Sequence, residues 1–110
     1  MELESYSFVL LRRGPRAGEY DDAELERLQA AHLGFLDQMR DAGHLVLAGP
    51  FSDQLDETLR GLCVYVTDLA TTRDLAATDP SVQAGRMAVE VMTWWTLQGA
   101  VTFHPEVRHG

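Results

Sequence analysis

One imidazole interrupts an apolar helical stripe. In the series Leu25, Leu28, His32, Phe35, Leu36 and Met39, spacings of three and four residues place every member on one helix face, and His32 is its only titratable side chain. A histidine there either fills a hydrogen-bonded slot in the core or carries a proton, because its charge changes near neutral pH. On the residues alone both readings stay open. Little else competes for chemistry. Cys63 lies in the apolar run RGLCVYVT, where a thiol stays protonated and inert. His44 begins a strand and His104 and His109 lie in the tail, positions expected to be exposed. No Cys/His pair has metal-finger spacing, so no metal site is expected. All nine basic residues are arginines, and the absence of lysine excludes Schiff-base catalysis and a P-loop.

Several further residues carry a structural and a functional reading. Gly49-Pro50 is an edge kink, or a place where a backbone N–H can approach a ligand oxygen. Arg12 ends a strand face shared with Tyr6, Phe8 and Leu10, either solvated or clamping a carboxylate or phenolate of a substrate. Glu90, if buried, needs Arg12 or Arg86 as a structural partner. Trp94 and Trp95 point to opposite faces, so one can enter the core or a subunit interface while the other flanks a pocket. Gly61 and Gly85 read as turn residues.

The chain of 110 residues, 45% hydrophobic, is long enough for one core and buries about 65% of its unfolded surface. The opening MELESYSF carries acids where a signal peptide needs bases, and no apolar run approaches the about 20 residues of a membrane span. A soluble, cytoplasmic protein with no membrane partner is expected. Nine basic residues against 17 acidic ones leave a net charge of -8, which repels nucleic acid at long range.

These residues must be positioned by six elements. YSFVLLRR, from Tyr6 to Arg13, reads as a strand ending at Gly14-Pro15. Asp21 with Glu24 forms a capping box for a helix over 22–42, closed by Gly43. His44 to Phe51 reads as a second strand broken by Gly49-Pro50, and Ser52 to Leu59 as a polar surface loop. Arg60 to Thr67 is the third strand, and a helix over 69–78 stops before Pro80. Ser81 to Ala84 adds a turn of helix. Arg86 to Trp95 is the fourth strand, leaving a tail, residues 96–110, with room for a short strand around Val101 to Phe103 or a dimer contact.

The order βαββαβ predicts an α+β fold, the ferredoxin-like split βαβ, with a four-stranded antiparallel sheet and both helices on one face. Its last strand is apolar on both sides, so the uncovered face calls for a partner, most simply a homodimer.

The AHLGFL run around His32, AGHLVLAGP from Ala42 to Pro50, Gly61, DPSVQAG from Asp79 to Gly85 and the closing VEVMTWW together resemble the YCII (YciI-like) family over most of residues 1–95. The resemblance implies a dimeric α/β barrel, similar in fold to muconolactone isomerases and to cofactor-free monooxygenases of small aromatic compounds. In members with a proposed activity, such as a dehydrochlorinase of a chlorinated hydroxyhydroquinone, a histidine and aspartate pair is the acid/base centre. That pair falls on His32 and Asp79. Thr93 stands before Trp94 where many relatives have proline. The expectation is a cofactor-independent lyase or isomerase acting on a small cyclic or aromatic hydroxylated molecule. His32 would move the proton, Asp79 would orient it, and Arg12, Gly49, Pro50 and Trp94 would bind substrate. A non-catalytic small-ligand-binding or dimerisation module is the alternative.

Overall fold

Alternating apolar side chains in the first strand leave neither face suited to water, and helices cover one of them. The computed structural model describes residues 1–103; His104, His109 and the rest of the tail lie outside them. The elements are β1 (Leu3–Arg13), α1 (Asp22–Asp41), β2 (Leu45–Pro50), β3 (Leu59–Tyr65), α2 (Leu69–Ala77), α3 (Pro80–Gln83) and β4 (Met87–Leu97). The strands form one antiparallel sheet in the order β2-β3-β1-β4. This is the ferredoxin-like α+β arrangement expected from the order of elements.

The helix-covered face carries the core. Val9 and Leu11 of β1, Leu45 of β2, Cys63 and Tyr65 of β3 and Ala76 of α2 form its centre. Met87, Val89 and Val91 of β4 pack against it, together with Leu36 and Met39 of α1. Register assigns the other set of side chains to the open face, because directly paired residues share a side: Tyr6 with Trp94, Phe8 with Met92, Leu10 with Glu90 and Arg12 with Ala88. Glu90 is exposed there and makes no ion pair with Arg12 or Arg86, so no buried partnership forms.

Helix α1 starts as its sequence dictates. Asp21 accepts from the Glu24 backbone N–H at 2.8 Å, and Glu24 returns a bond to the Asp21 N–H at 3.1 Å. Its inward stripe buries His32 and Phe35. Asp68 caps α2 in the same manner, accepting from Thr71 N–H. The second strand is not broken: β2 runs through Gly49 and ends at Pro50, which an edge strand tolerates because no neighbour needs its missing donor. His44 is half-buried rather than exposed.

The tail differs from expectation. β4 runs on to Leu97, where it pairs with Leu3, and Val101 to Phe103 form no strand. Phe103 instead packs edge-on against Tyr6, with ring centroids 5.5 Å apart, so the chain turns back onto the open sheet face. Among the described residues no helix is long and apolar enough to cross a membrane.

The Asp21 box predicts a measurable loss. Asp21→Ala should lower stability by about 1 kcal/mol in urea unfolding with the slope unchanged. No change in the midpoint would mean that tertiary packing, not the cap, fixes the start of α1.

Candidate active site

The buried stripe of α1 delivers His32 to a carboxylate. Asp79 leaves α2 just before Pro80, takes the N-cap position of α3, and is only 3% exposed. Its Oδ2 lies 2.6 Å from His32 Nδ1, while Oδ1 accepts from the Ser81 backbone N–H and from the Ser81 hydroxyl, each at 2.9 Å. Every donor around this carboxylate is therefore used to hold one orientation. An ionised carboxylate only accepts, so Nδ1–H donates to Oδ2 and the other ring nitrogen, Nε2, takes no part in this bond. Nε2 has no hydrogen-bond partner among the described residues. Among the described residues no buried side-chain nitrogen or oxygen is left unpaired, so Nε2 is the accessible edge of the ring.

That space is a cavity of about 420 Å³ between α1 and the sheet. His32, Leu33 and Leu36 form its helical side, and Ala48, Gly49 and Pro50 of β2 its edge. Phe51 and Gln54 of the following loop, with Arg60 and Arg86, complete a mouth of mixed character. The volume lies within the range of small-molecule sites. Gly61 makes the enclosure possible. A side chain there would place its Cβ 2.6 Å from the Gly49 carbonyl oxygen, so only glycine lets β2 and β3 approach at the cavity floor. Gly61 is thus a mid-strand packing residue, not the turn expected of it.

Two expected binding residues are elsewhere. Arg12 and Trp94 lie on the open face of the sheet, while the cavity opens on the helix side beside Leu11, so neither lines it. Strand alternation separates them from His32: one step along β1 crosses the sheet. Trp94 instead lies beside Tyr6, ring centroids 6.1 Å apart, and Trp95 is 59% exposed on the other side. Sequence reasoning missed Arg60, Phe51, Gln54 and Ser81 as site residues and considered Arg86 only as a partner for Glu90. For Ser81 a signal existed. Asp79-Pro80-Ser81 is a helix-start pattern in which the capping aspartate accepts from the residue two positions on.

Two more buried groups adjoin the pair. Burial, with the Asp79 charge adding to it, pushes the Cys63 thiol up to about 12. Burial likewise raises the Tyr65 hydroxyl above its ordinary value, and charge on Cys63 and Asp79 acts in the same direction. Both stay protonated near neutrality.

The YCII-related domain model matches residues 7–95. The chain belongs to the YCII-related family. Among solved structures, similarity extends to 5-chloro-2-hydroxyhydroquinone dehydrochlorinase from Burkholderia phenoliruptrix, determined in complex with 2,5-dihydroxybenzoquinone. The TM-score is 0.52 at 20% sequence identity, covering 80% of this chain and 92% of that one, which shows a shared fold. A search of curated proteins finds no match.

The raised thiol sets a pH window. Cys63 in the folded YCII-related chain should resist iodoacetamide at about pH 8 and react once the chain is unfolded. Its folded value lies above the ordinary 9.0, so the associated stability is complete below that pH and is lost as pH rises towards about 12. Comparing denaturation of the parent and Cys63→Ala across that range isolates the effect; rapid alkylation of the folded protein would contradict the burial argument.

Proposed function

We propose that this YCII-related protein is a cofactor-independent lyase or isomerase in which His32 transfers a proton on a small cyclic or aromatic hydroxylated substrate. One observation carries the reading: a buried imidazole is tied through Nδ1 to Asp79 and offers Nε2 to a cavity of about 420 Å³. The dehydrochlorinase of the same fold, bound to a dihydroxybenzoquinone, supports the choice of substrate class.

The chemistry follows from the tautomer. Nε2 removes a proton from a ring carbon next to a carbonyl, and the C–H electron pair becomes the enolate. In an elimination that pair then expels a leaving group from the adjacent carbon as its anion. In an isomerisation the imidazolium returns the proton to a different carbon. Asp79 balances the imidazolium while it exists and keeps the ring from rotating. The Gly49-Pro50 backbone and the positive field of Arg60 and Arg86 face the enolate charge, the role that expectation gave to Arg12.

The cleanest variant is His32→Asn. Its amide nitrogen can still donate to Asp79 Oδ2, so the buried carboxylate keeps a partner while the base at Nε2 is gone. Deuterium wash-in from D2O into ring carbons of hydroxylated quinones and hydroquinones, followed by NMR, reads the proton transfer without presupposing the product. Wash-in should fall about 100-fold or more in His32→Asn with the melting temperature nearly unchanged. Undiminished exchange in that variant removes the acid/base role and leaves a ligand-binding module.

We propose further that a second copy of the chain covers the open sheet face. That face carries Phe8, Leu10 and Met92, half-buried, and Trp94, exposed, an apolar set that no helix covers. Stacking two such sheets about a two-fold axis would close the dimeric α/β barrel. Light scattering should give twice the chain mass at micromolar concentration, and Leu10→Glu should give the single mass. A parent protein that scatters as a monomer contradicts the arrangement.

A further inference from the structure

The lining of the cavity beside His32 carries positive charge and no described carboxylate. The chain holds 17 acidic residues, yet none of those described lines this cavity or the smaller adjoining one of about 250 Å³. Arg60, Arg86 and Met87 line both, so the two spaces adjoin, and Arg13 lines the second. Among the described residues none of these three arginines forms an ion pair. In a chain with net charge -8, what sets Arg60 and Arg86 apart is that both meet at a cavity whose lining holds no described carboxylate.

Two backbone devices aim the pair. On β3, Gly61 faces Leu11 and Leu59 faces Arg12, so Arg60 is the extra residue of a bulge. Plain alternation from Gly61 would send Arg60 to the open face; the bulge lets it reach the helix side, where it lines the cavity. Arg86 follows Gly85, whose φ of +73° turns the chain sharply after α3. Its backbone is clamped: Arg86 N–H donates to the Ser81 carbonyl at 3.0 Å, and its own carbonyl accepts from Gly14 N–H at 2.7 Å. Its Nη1 donates to Gln29 Oε1 at 2.9 Å, a neutral acceptor that steadies the guanidinium without neutralising it. Both side chains thus keep free donors and an uncompensated charge.

We infer that the molecule bound here carries a carboxylate, held by Arg60 and Arg86 at the mouth while its ring reaches inward to His32. A planar carboxylate matches the forked donors of guanidinium, and the apolar lining of Leu33, Leu36 and Phe51 suits the ring. The inference rests on the proposed function only for what His32 does to that ring. The anion subsite stands on the arginines themselves.

Calorimetric titration of the full chain with 2,5-dihydroxybenzoate and with hydroquinone tests it, since the two rings differ by one carboxylate. The benzoate should bind about ten-fold tighter or better, and the advantage should vanish in Arg60→Gln/Arg86→Gln. Should that double variant fail to fold, Arg60→Gln alone, at an exposed position, should remove part of the advantage. His32→Asn should retain the advantage in full, which separates this inference from the proton-transfer reading. Equal binding of the two probes, no binding of the benzoate, or an advantage that survives loss of the arginines overturns the proposal. Inorganic phosphate displacing the benzoate with equal affinity also overturns it, in favour of a general anion cradle.

Discussion

A carboxylate taken out of water must be surrounded by donors, and the burial of Asp79 organises much of this fold. The side chains of His32 and Asp79 are 5% and 4% exposed, and the aspartate is satisfied by one imidazole nitrogen and two donors from Ser81. The contact joins the middle of α1 to the start of α3, elements far apart in the chain. It also fixes more than itself. The same Ser81 whose N–H and hydroxyl hold Asp79 gives its carbonyl to the Arg86 backbone, and Arg86 leads directly into β4. The imidazole and the guanidinium at the mouth are therefore positioned from one short segment, Asp79 to Arg86, and a shift of α3 would move both.

The cavity exists because small residues leave room. Ala48, Gly49 and Gly61 line its sheet side, and Gly61 is constrained twice, by the space it leaves and by the approach of the Gly49 carbonyl. A larger side chain at position 61 would have to push β2 away from β3, opening the edge of the sheet at the place where the cavity needs a wall. Gly49 is under no such restraint, since a Cβ there would meet nothing within 4 Å. Its contribution is surface on the cavity rather than backbone freedom.

Periodicity made the elements legible, because each is written in local rules. The α1 stripe, the Asp21-Glu24 box and the Pro80 stop all describe bonds within a few residues, and the observed boundaries follow them closely. Meeting of His32 with Asp79 was accessible through family resemblance, not through spacing. The choice of which sheet face meets the helices was harder to read. β1 and β4 are apolar on both sides, so alternation sorts Arg12 and Trp94 from Leu11 and Val89 without saying which set lies under α1. That ambiguity is why Arg12 and Trp94, expected beside His32, lie on the face away from its cavity. Arg60 was hidden by a different cause: a bulge breaks the period of two on which any reading of facing depends.

The two-sided character of the sheet and the acidic balance of the surface are connected through the site. An acidic exterior keeps a chain with exposed apolar area soluble, but it also repels an anion approaching the cavity. Excluding carboxylates from the lining and gathering Arg60 and Arg86 there gives a local reversal of sign, and low-dielectric walls concentrate its field. The histidine sits deeper, where its partner carboxylate is itself shielded by Ser81 and does not line that cavity. A carboxylate is thus present on one side of the imidazole and absent from the lining of the cavity on the other. Buried carboxylate, buried imidazole and an exposed guanidinium thus follow one another from the core to the cavity lining, and the order arises from one buried cap, one bulge and one glycine turn.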